Sequence, residues 1–388
     1  MRVLLLSFYF EPDLGPGAFR ATAWARAMNE RLHPGGSLDV FTTRPNRYAS
    51  FAPDAMPLQH EGAMTVHRFD LPSHRSGFLD QSRAFMRYAF QAWQLSRRQR
   101  YDVVCATSSR LMTALLASLI ARRQGARLFL DVRDLFVDAI GDVLPGWARP
   151  LKLILSALER LTFSRAEHIN VVSGGFLPYL RERYPETSLS VITNGIDDAF
   201  LEPLPPSGPA FRSLAGRIRV LYAGNIGDGQ ALHLLVPDLA RHLADSHEFV
   251  VVGDGGARTR LQAAIAGLSN VRWLPPVDRQ TLREMYRDCD VLLLHLNDLP
   301  AFRKVLPSKL FEYAATGKPM LAGVAGYAAQ FLQEIPGVAS FPPCDTKRAV
   351  DALVNLHLNP VDRVAFTQKY TRRIQMQRLA DIALKLES

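Results

Sequence analysis

The sequence predicts an α/β fold with two doubly wound, Rossmann-like domains that face a cleft. Short apolar runs alternate with stretches of helical spacing along the 388 residues. This alternation is typical of parallel sheets that helices cover on both faces. The order strand, glycine-containing loop, helix occurs at residues 3–31 and again at residues 218–244. The repeat and a length sufficient for two domains predict two units of the same class.

The individual elements follow from the same patterns. In the first half, residues 3–8 form an apolar strand, residues 15–17 a glycine-containing loop, and residues 18–31 a helix. Further strands are predicted at residues 38–42, 65–69, 103–107, 127–132 and 168–173. The second half begins with strand 218–223, loop 224–229 and helix 231–244. It continues with strands at residues 249–253, 271–274, 291–295, 320–323 and 339–341.

Four prolines between residues 203 and 209 mark the domain boundary. We therefore expect an N-terminal domain at residues 1–200, a linker at residues 201–216 and a C-terminal domain at residues 217–360. Ligands of doubly wound sheets bind at the carboxyl ends of the strands, so the expected site is the cleft between the domains.

The net charge of +9 is concentrated in one part of the chain. The sequence has 46 Lys and Arg against 37 Asp and Glu, and residues 72–127 alone carry a net +8. A segment this basic indicates an anionic partner: nucleic acid, a membrane surface or a phosphorylated substrate.

Composition argues against several classes of protein. The longest uncharged run, residues 319–333, is too short for a membrane-spanning helix and contains Pro, Gly and Gln. The three cysteines, Cys105, Cys289 and Cys344, fit neither a disulfide framework nor a zinc site and indicate a reducing cytosol. The N-terminus lacks the cleavage site of a secretory signal, so we expect a cytoplasmic protein.

Residues 303–313 carry the most informative pattern in the chain. Three cations follow a predicted buried strand: Arg303, Lys304 and Lys309. A helix then starts at Ser308, and the amide groups of its first turn favour an anion. Glu312, one turn further on, can accept hydrogen bonds from two neighbouring hydroxyls, as on a ribose. The segment therefore predicts a nucleotide site, and the alternative is a capped helix with a solvated basic face.

Three other motifs leave alternatives open. The loop at residues 15–20 is not a dinucleotide fingerprint, because Arg20 replaces the last glycine. It is either a plain loop or an anion- or sugar-binding helix N-terminus. Asp288 and Asp290 have the Asp-x-Asp form, but they lie between a helix and a strand, so we interpret them as boundary residues. Arg133 and Asp134 end a strand and either face the cleft or form a local ion pair.

Several motifs in one order resemble a known family. They are residues 8–12 with the loop at 15–20, residues 131–135, residues 171–173 followed by 191–197, and residues 221–227, 252–255 and 307–313. Together they resemble the retaining glycosyltransferases of family 4, which have the GT-B fold. The chain is most similar to the branch that adds fucosamine-type sugars in O-antigen synthesis.

The resemblance implies roles for particular residues. The second domain would hold a nucleotide-sugar donor, with Arg303 and Lys309 stabilising the departing diphosphate and Glu312 binding the ribose. Other donor-binding residues would be Gly17, Asn225, Gly253 and Ser308, with Gly253 lining the base pocket. The first domain would bind the acceptor through Arg20, Arg133 and Asp134. The segment at residues 361–388 would be a long helix crossing back to the first domain.

Two departures from the family pattern concern the donor. Many members have a glutamate at the position of Lys304, and many have arginine and lysine at the positions of Asn225 and Gln230.

We expect a retaining enzyme that uses a UDP-sugar in bacterial surface polysaccharide synthesis. The departing phosphate would help to deprotonate the acceptor, so we assign no general base, and we expect no metal and no cofactor.

The basic segment predicts a membrane surface. Residues 79–100 are expected to form a helix with Arg83, Arg87, Arg97 and Arg98 on one side. The rest of the helix is mostly apolar, with Phe85, Met86, Tyr88, Ala92, Trp93 and Leu95. Such a helix can lie on an anionic membrane, and residues 146–165 would extend the surface. We therefore expect a peripheral enzyme on the inner face of the plasma membrane with a lipid-linked saccharide acceptor. The alternative is a solvated arginine face on a core helix.

Three rival functions remain open at this stage. A nucleotide-sugar epimerase with the same fold would bind the donor but need no acceptor surface. A non-catalytic partner subunit is suggested by Lys304, although Lys309 and Glu312 argue against it. A nucleic-acid binder would need exposed stacking aromatics among the arginines, whereas Tyr88 and Trp93 are expected to point away from them.

Overall fold

The computed structural model describes residues 1–13, 15–45, 55–71, 78–108, 111–138, 149–202 and 216–387. The chain divides into two compact units. Unit 1 comprises Met1–Asn194 with Arg372–Ser388, and unit 2 comprises Gly195–Thr371. The expected boundaries at residues 200 and 361 differ from these, because Ile196 pairs with Thr371 within unit 2. Residues 203–215 of the expected linker lie outside the described ranges.

Unit 1 is built on an eight-stranded sheet in the order β3-β4-β2-β1-β5-β6-β7-β8. Its strands are β1 (Arg2–Leu6), β2 (Ser37–Thr43), β3 (Leu58–Glu61), β4 (Met64–Phe69), β5 (Val103–Ser108), β6 (Arg127–Val132), β7 (His168–Val171) and β8 (Ser188–Val191). The edge strand β3 runs antiparallel to β4, and the other described pairings are parallel. The central strands β1, β5 and β6 are buried except at the first residue of β1 and of β6, because helices cover both faces of the sheet.

Unit 2 is built on a six-stranded parallel sheet in the order β11-β10-β9-β12-β13-β14. Its strands are β9 (Ile218–Ala223), β10 (His247–Val252), β11 (Val271–Leu274), β12 (Val291–His295), β13 (Met320–Gly323) and β14 (Val338–Phe341). The chain order reverses between β9 and β12, and ligands of such sheets bind at the carboxyl ends of the strands at this point. Two doubly wound parallel-sheet units confirm the predicted fold class.

The described α-helices follow the expected alternation with strands. They are α1 (Pro16–Arg31), α2 (Phe78–Leu95), α3 (Leu111–Gln124), α4 (Arg149–Phe163), α5 (Leu177–Arg183), α6 (Leu232–His242), α7 (Arg258–Ala264), α8 (Arg279–Asp288), α9 (Lys309–Ala315), α10 (Tyr327–Leu332), α11 (Thr346–Val354), α12 (Val364–Lys369) and α13 (Arg372–Leu384). Two predicted helices differ. Helix α2 ends at Leu95, so Arg97 and Arg98 lie beyond it, and the long C-terminal helix is divided into α12 and α13.

The C-terminal helix α13 belongs to the core of unit 1. Its apolar residues Met376 and Leu379 are fully buried in the cluster that contains Trp24 and Met28 of α1. Burial of each such side chain contributes about 1.5–3 kcal/mol relative to exposure. The last helix of the chain therefore stabilises the first strand–helix unit.

A buried ion pair joins α1 to the far part of the same sheet. Arg20 is 1% exposed and Asp131 is fully buried. The guanidinium donates two hydrogen bonds of 2.8 Å to the Asp131 carboxylate and one of 2.7 Å to the Thr193 carbonyl. Because Asn170 also donates to Asp131 at 2.7 Å, the carboxylate is well satisfied. Arg20 therefore holds α1, β6 and the segment after β8 together.

Removing one partner of this pair should cost far more stability than removing a surface pair. We expect Arg20→Ala to lower the free energy of unfolding by about 3–5 kcal/mol, because Asp131 would be left as a buried unpaired charge. The matched control is Arg31→Ala, which removes an exposed pair with Asp381 at 2.6 Å and should cost about 0–1 kcal/mol. Urea denaturation measures both, and equal losses would contradict the assignment.

Candidate functional site

The strands β9 and β12 part near the carboxyl end of β9, and a tyrosine fills the gap. The strands pair only at Val220 with Val291 and at Leu221 with Leu292. The backbone N–H of Ala223 donates to the Tyr313 hydroxyl at 3.0 Å, and that hydroxyl donates back to the Ala223 carbonyl at 3.3 Å. The Tyr313 hydroxyl thereby pairs with two backbone groups of Ala223 that have no partner on β12. These hydrogen bonds fix α9 at the end of β9.

Lys309, one helical turn before Tyr313, lies over the end of β9. A Cβ at Gly224 would overlap the Lys309 side chain, and Gly224 has φ +146°, which favours glycine. Gly253, at the end of β10, has φ +141°, and a Cβ there would overlap the Gly224 carbonyl. The two glycines therefore allow the strand ends and the lysine to approach one another closely.

The electrostatic surroundings of Lys309 suit an anion. Its ammonium lies 5.8 Å from the centre of the Tyr222 ring, and no carboxylate of the described residues is within ion-pair distance of it. Burial lowers the pKa of Lys309 below its usual 10.5, and the charge of Glu312 opposes that change. A desolvated cation with no close counter-ion interacts strongly with an added phosphate.

The flanking predicted residues lie on the same helix. Ser308 is at the N-cap position of α9, and its side chain makes no capping hydrogen bond. Glu312 is half-buried in the first turn of α9. The structure thus brings Ser308, Lys309 and Glu312 together on one short helix at the end of β9.

The two amides that stand where many family members have cations bind each other. Asn225 donates to the Gln230 side chain at 2.7 Å, and the backbone N–H of Gly227 donates to the same oxygen at 3.2 Å. These contacts close the loop after β9. The positive charge at this end of β9 therefore comes from α9, not from the loop.

A buried histidine connects that loop to the loop after β14. His295, at the end of β12, is 1% exposed. Its Nδ1 lies 2.7 Å from the Gln230 carbonyl, and its Nε2 lies 3.0 Å from the Cys344 backbone nitrogen. Nδ1 must then carry the proton and Nε2 must accept. Burial lowers the pKa of His295 to about 4, so the ring is neutral at physiological pH. No local sequence pattern predicts this role of His295, because its two partners are distant in the chain.

Arg303 occupies a different position from Lys309. It is 57% exposed and donates to Asp298 at 2.8 Å and 3.1 Å. Together with Val324 and Phe341, the pair lines an open pocket of about 410 Å³. Lys304, the next residue, is half-buried. Arg303 is therefore a surface cation paired with a carboxylate in this structure, whereas Lys309 is half-buried and lies against Gly224.

In unit 1, the structure brings Gly17 and Arg133 together. A Cβ at Gly17, in the first turn of α1, would overlap the Arg133 guanidinium. Asp134 is exposed beside it; surrounding protein raises the pKa of its carboxyl, and the Arg133 charge opposes that rise. Arg20 is not near a solvent-facing surface, because its guanidinium is buried against Asp131. We expected Arg20 on the acceptor side, and its position is instead that of a core residue.

The Asp-x-Asp pair lies at the opposite end of the unit 2 sheet. Asp288 is paired with Arg287 at 2.5 Å, and Asp290 accepts from the backbone N–H of Arg219 at 2.7 Å. Arg219 is near the beginning of β9, so both aspartates are far along the strand from Gly224. Within the described ranges, no group of three or more His, Cys, Asp or Glu side chains could hold a metal ion.

Helix α2 presents a mixed basic and apolar surface. Arg83 and Arg87 are exposed, and so are Met86 at 63% and Phe90 at 55%. Met86, one of the apolar residues predicted outside the arginine arc, is therefore exposed beside the arginines and is not part of the buried side of the helix. Arg97 and Arg98 are exposed just after the helix. Among the residues that the structure describes, no helix is both long and apolar enough to span a membrane.

Helix α4 adds exposed apolar residues. Leu153 is 73% exposed and Ile154 is 58% exposed. The opposite side of α4 is fixed by buried Glu159, which accepts from the Tyr179 hydroxyl at 2.6 Å and the Tyr184 hydroxyl at 3.1 Å. The apolar side chains therefore project from a helix whose orientation is set by its buried side. Residues 146–148 of the expected surface segment lie outside the described ranges.

Comparison with known proteins identifies the family. Residues 17–195 match the glycosyl transferase 4-like domain, and residues 217–359 match the glycosyl transferases group 1 domain. The chain belongs to the family 4 glycosyltransferases. The glycosyltransferase is 26% identical over 321 residues to WcaI of Escherichia coli (strain K12), a glycosyl transferase assigned by name to colanic acid biosynthesis. The match covers 76% of each protein.

Solved structures share the fold of this glycosyltransferase. Sucrose-phosphate synthase from Thermosynechococcus elongatus matches with a TM-score of 0.70 and 17% identity, covering 100% of this chain and 97% of that one. HepE from Anabaena, solved with UDP-glucose, matches with a TM-score of 0.62 and 16% identity, also covering 100% and 97%. These likenesses confirm the predicted GT-B fold.

The His295 contact predicts a pH dependence of stability in this glycosyltransferase. An unfolded histidine binds a proton near pH 6.5, whereas folded His295 does so only near pH 4. The unfolded state thus binds more protons in this window, so stability should fall as the pH decreases from about 6.5 to 4, by about 3 kcal/mol. NMR titration of the ring, assigned with His295→Gln, measures this pKa. A ring that titrates near 6.5 would contradict the buried neutral state.

Proposed function

We propose that this glycosyltransferase moves a sugar from a UDP-sugar to a lipid-linked saccharide, with retention, in bacterial surface polysaccharide synthesis. The observation that carries the proposal is the half-buried Lys309 side chain over Gly224, at the point where the strand order of unit 2 reverses. Two comparisons support it. HepE shares the fold and was solved with UDP-glucose, and WcaI is named for colanic acid biosynthesis.

The chemistry follows from where charge develops. As the glycosidic bond of the donor breaks, negative charge accumulates on the departing diphosphate. Lys309 would stabilise that charge, and because it is desolvated, its attraction is stronger than that of an exposed cation. Glu312, half-buried on the same helix, would accept hydrogen bonds from the ribose hydroxyls. Gly253, at the end of β10, would line the base pocket.

Arg303 would act differently from Lys309 in this proposal. Its pairing with Asp298 must be broken or shared before it can bind a diphosphate, and it is solvated. We therefore infer that Lys309 is the principal cation for the leaving group and that Arg303 is secondary. Asn225 would contribute by shaping the loop, since its amide is bound to Gln230.

Unit 1 would bind the acceptor. Arg133 against Gly17 forms a cation beside the first turn of α1, and Asp134 is exposed next to it. We assign no general base and propose that the departing phosphate takes the acceptor proton on the same face of the sugar. Retention requires that leaving group and acceptor share that face.

The surfaces of α2 and α4 support a membrane partner. Exposed arginines next to exposed Met86 and Phe90 combine attraction to anionic lipid headgroups with apolar groups that can enter the interface. Leu153 and Ile154 of α4 extend the apolar part. A peripheral position on the inner face of the plasma membrane would bring unit 1 to a lipid-linked acceptor.

Substitution of Lys309 tests the nucleotide site. We expect UDP to raise the melting temperature of the wild type by mass action, and we expect Lys309→Ala to lose most of that shift. Turnover with a UDP-sugar should fall roughly 100-fold or more, about 3 kcal/mol, because one leaving-group contact is lost. The control is Lys347→Ala, an exposed lysine on α11. If UDP stabilises Lys309→Ala as much as the wild type, the proposal is wrong.

The burial of Lys309 also predicts how UDP binding depends on pH. Because its pKa is lowered in the free protein, the ammonium loses its proton below pH 10.5. UDP affinity should therefore weaken as the pH rises through that lowered pKa. Lys309→Arg, whose guanidinium stays charged, should keep its affinity over the same range. Isothermal titration at several alkaline pH values makes the comparison.

Flotation with vesicles tests the membrane surface. Substitution of Arg83, Arg87, Arg97 and Arg98 by Gln removes about 1 kcal/mol of attraction for each arginine, so binding to anionic vesicles should fall by roughly 100-fold or more. The control variant replaces four exposed arginines of unit 2 by Gln: Arg241, Arg258, Arg260 and Arg348. It loses the same charge, so equal losses of binding in the two variants would contradict a surface located on α2.

A further inference from the structure

A cavity in unit 1 lies between α1 and the β3–β4 hairpin and takes no part in the sites above. It encloses about 180 Å³, which is below the ~300–1,000 Å³ typical of pockets for drug-sized ligands. A nucleotide is too large for it, whereas one sugar ring or a group of similar size fits. Its floor is apolar and is formed by Phe10, Met64 and Val66, all buried.

The rim of the cavity is polar. Arg26 lies 3.3 Å from the Glu11 carboxylate and 3.7 Å from the Glu61 carboxylate. Gln59 stands on β3 beside them. Among the described residues, Arg26 pairs with the two carboxylates, and the Gln59 amide has no hydrogen bond to another protein group. A ligand at this rim would share the ion pairs and bind the amide.

A buried arginine closes one end. Arg68 is 7% exposed, and its guanidinium donates to the Glu11 carbonyl at 2.9 Å and the Met56 carbonyl at 3.2 Å. Thr22 of α1 accepts from the Glu11 backbone N–H at 3.0 Å. These contacts fix the Glu11 segment to both α1 and β4, so the shape of the cavity is preformed.

The charges around the cavity cancel. Glu11 and Glu61 balance Arg26 and Arg68, whereas Lys309 of unit 2 has no carboxylate of the described residues within ion-pair distance. An apolar floor with a rim of alternating acceptors and donors and no net charge matches a neutral sugar, which has an apolar ring face and hydroxyls around its edge. A phosphate or a carboxylate would meet Glu11 and Glu61.

We propose that this cavity binds a neutral monosaccharide unit of the acceptor glycan, at some distance from the hydroxyl that reacts. The inference rests on the proposed transferase function. Thr22 and Arg26 lie about 8 and 14 Å further along α1 than Gly17, from a rise of about 1.5 Å per residue. The cavity would therefore hold a sugar of the acceptor chain beyond the reacting one, and so select the chain that is extended.

Saturation-transfer NMR on the full chain tests the proposal. The probes are the methyl α-glycosides of glucose, galactose and fucose, with sodium glucuronate as the charged comparison. We expect at least one neutral glycoside to give a signal that persists with saturating UDP. The signal should fall at least five-fold in Gln59→Ala/Glu61→Gln and in Arg26→Gln. Glu30→Gln, on α1 outside the cavity, should keep it.

Three outcomes would overturn the proposal. No neutral glycoside binds the wild type; the signal is unchanged in both cavity variants; or UDP abolishes it, which would place the sugar in the nucleotide site. Binding of glucuronate alone would also contradict a neutral ligand. The thermal shift by UDP in the same variants tests the proposed function separately, since a folded cavity variant should keep that shift.

Discussion

The divergence of β9 and β12 is the constraint on which the candidate site in unit 2 depends. Doubly wound sheets place ligands where the strand order reverses, because neighbouring strands diverge there and leave a crevice. Divergence also leaves backbone groups unpaired, and an unpaired buried group is costly. In this protein the Tyr313 hydroxyl takes both the N–H and the carbonyl of Ala223. That solution fixes α9, and α9 places Lys309 over Gly224. The hydrogen bonds that satisfy the backbone of Ala223 thereby determine where Lys309 lies.

The arginines and lysines of the chain fall into distinct classes by what they contact. Arg20 is buried and fully engaged by Asp131, so it acts in folding. Arg303 is exposed and shared with Asp298, and its charge is screened by solvent. Lys309 is half-buried and has no carboxylate within ion-pair distance among the described residues. All three side chains are cationic. The local dielectric and the nearest carboxylate determine how strongly each cation would attract an added anion.

The sequence was sufficient for the fold and for part of the site. Continuous apolar runs predict strands that are covered on both faces, and the resemblance placed Lys309 and Glu312 where the structure has them together. The misplaced residues depend on distant partners. Arg20 was predicted to lie in a loop on the acceptor side, because the local sequence pattern gives no sign of its partner Asp131, which is 111 positions away. His295 was missed for the same reason, since Gln230 and Cys344 reach it from two other loops.

Helix periodicity has a related limit, which α2 illustrates. A helical wheel divides residues into two sides, but it does not say how wide the buried side is. Tyr88 and Ala92 are buried, and the Tyr88 hydroxyl donates to the Phe41 carbonyl at 2.9 Å. The buried stripe is narrow, so Met86 and Phe90 remain outside it beside the arginines. Apolar side chains left exposed among cations are unfavourable in water alone. An anionic membrane interface would stabilise both kinds of side chain, because the apolar groups leave water and the arginines attract the lipid headgroups. The proposed membrane contact would therefore account for the position of Met86 and Phe90.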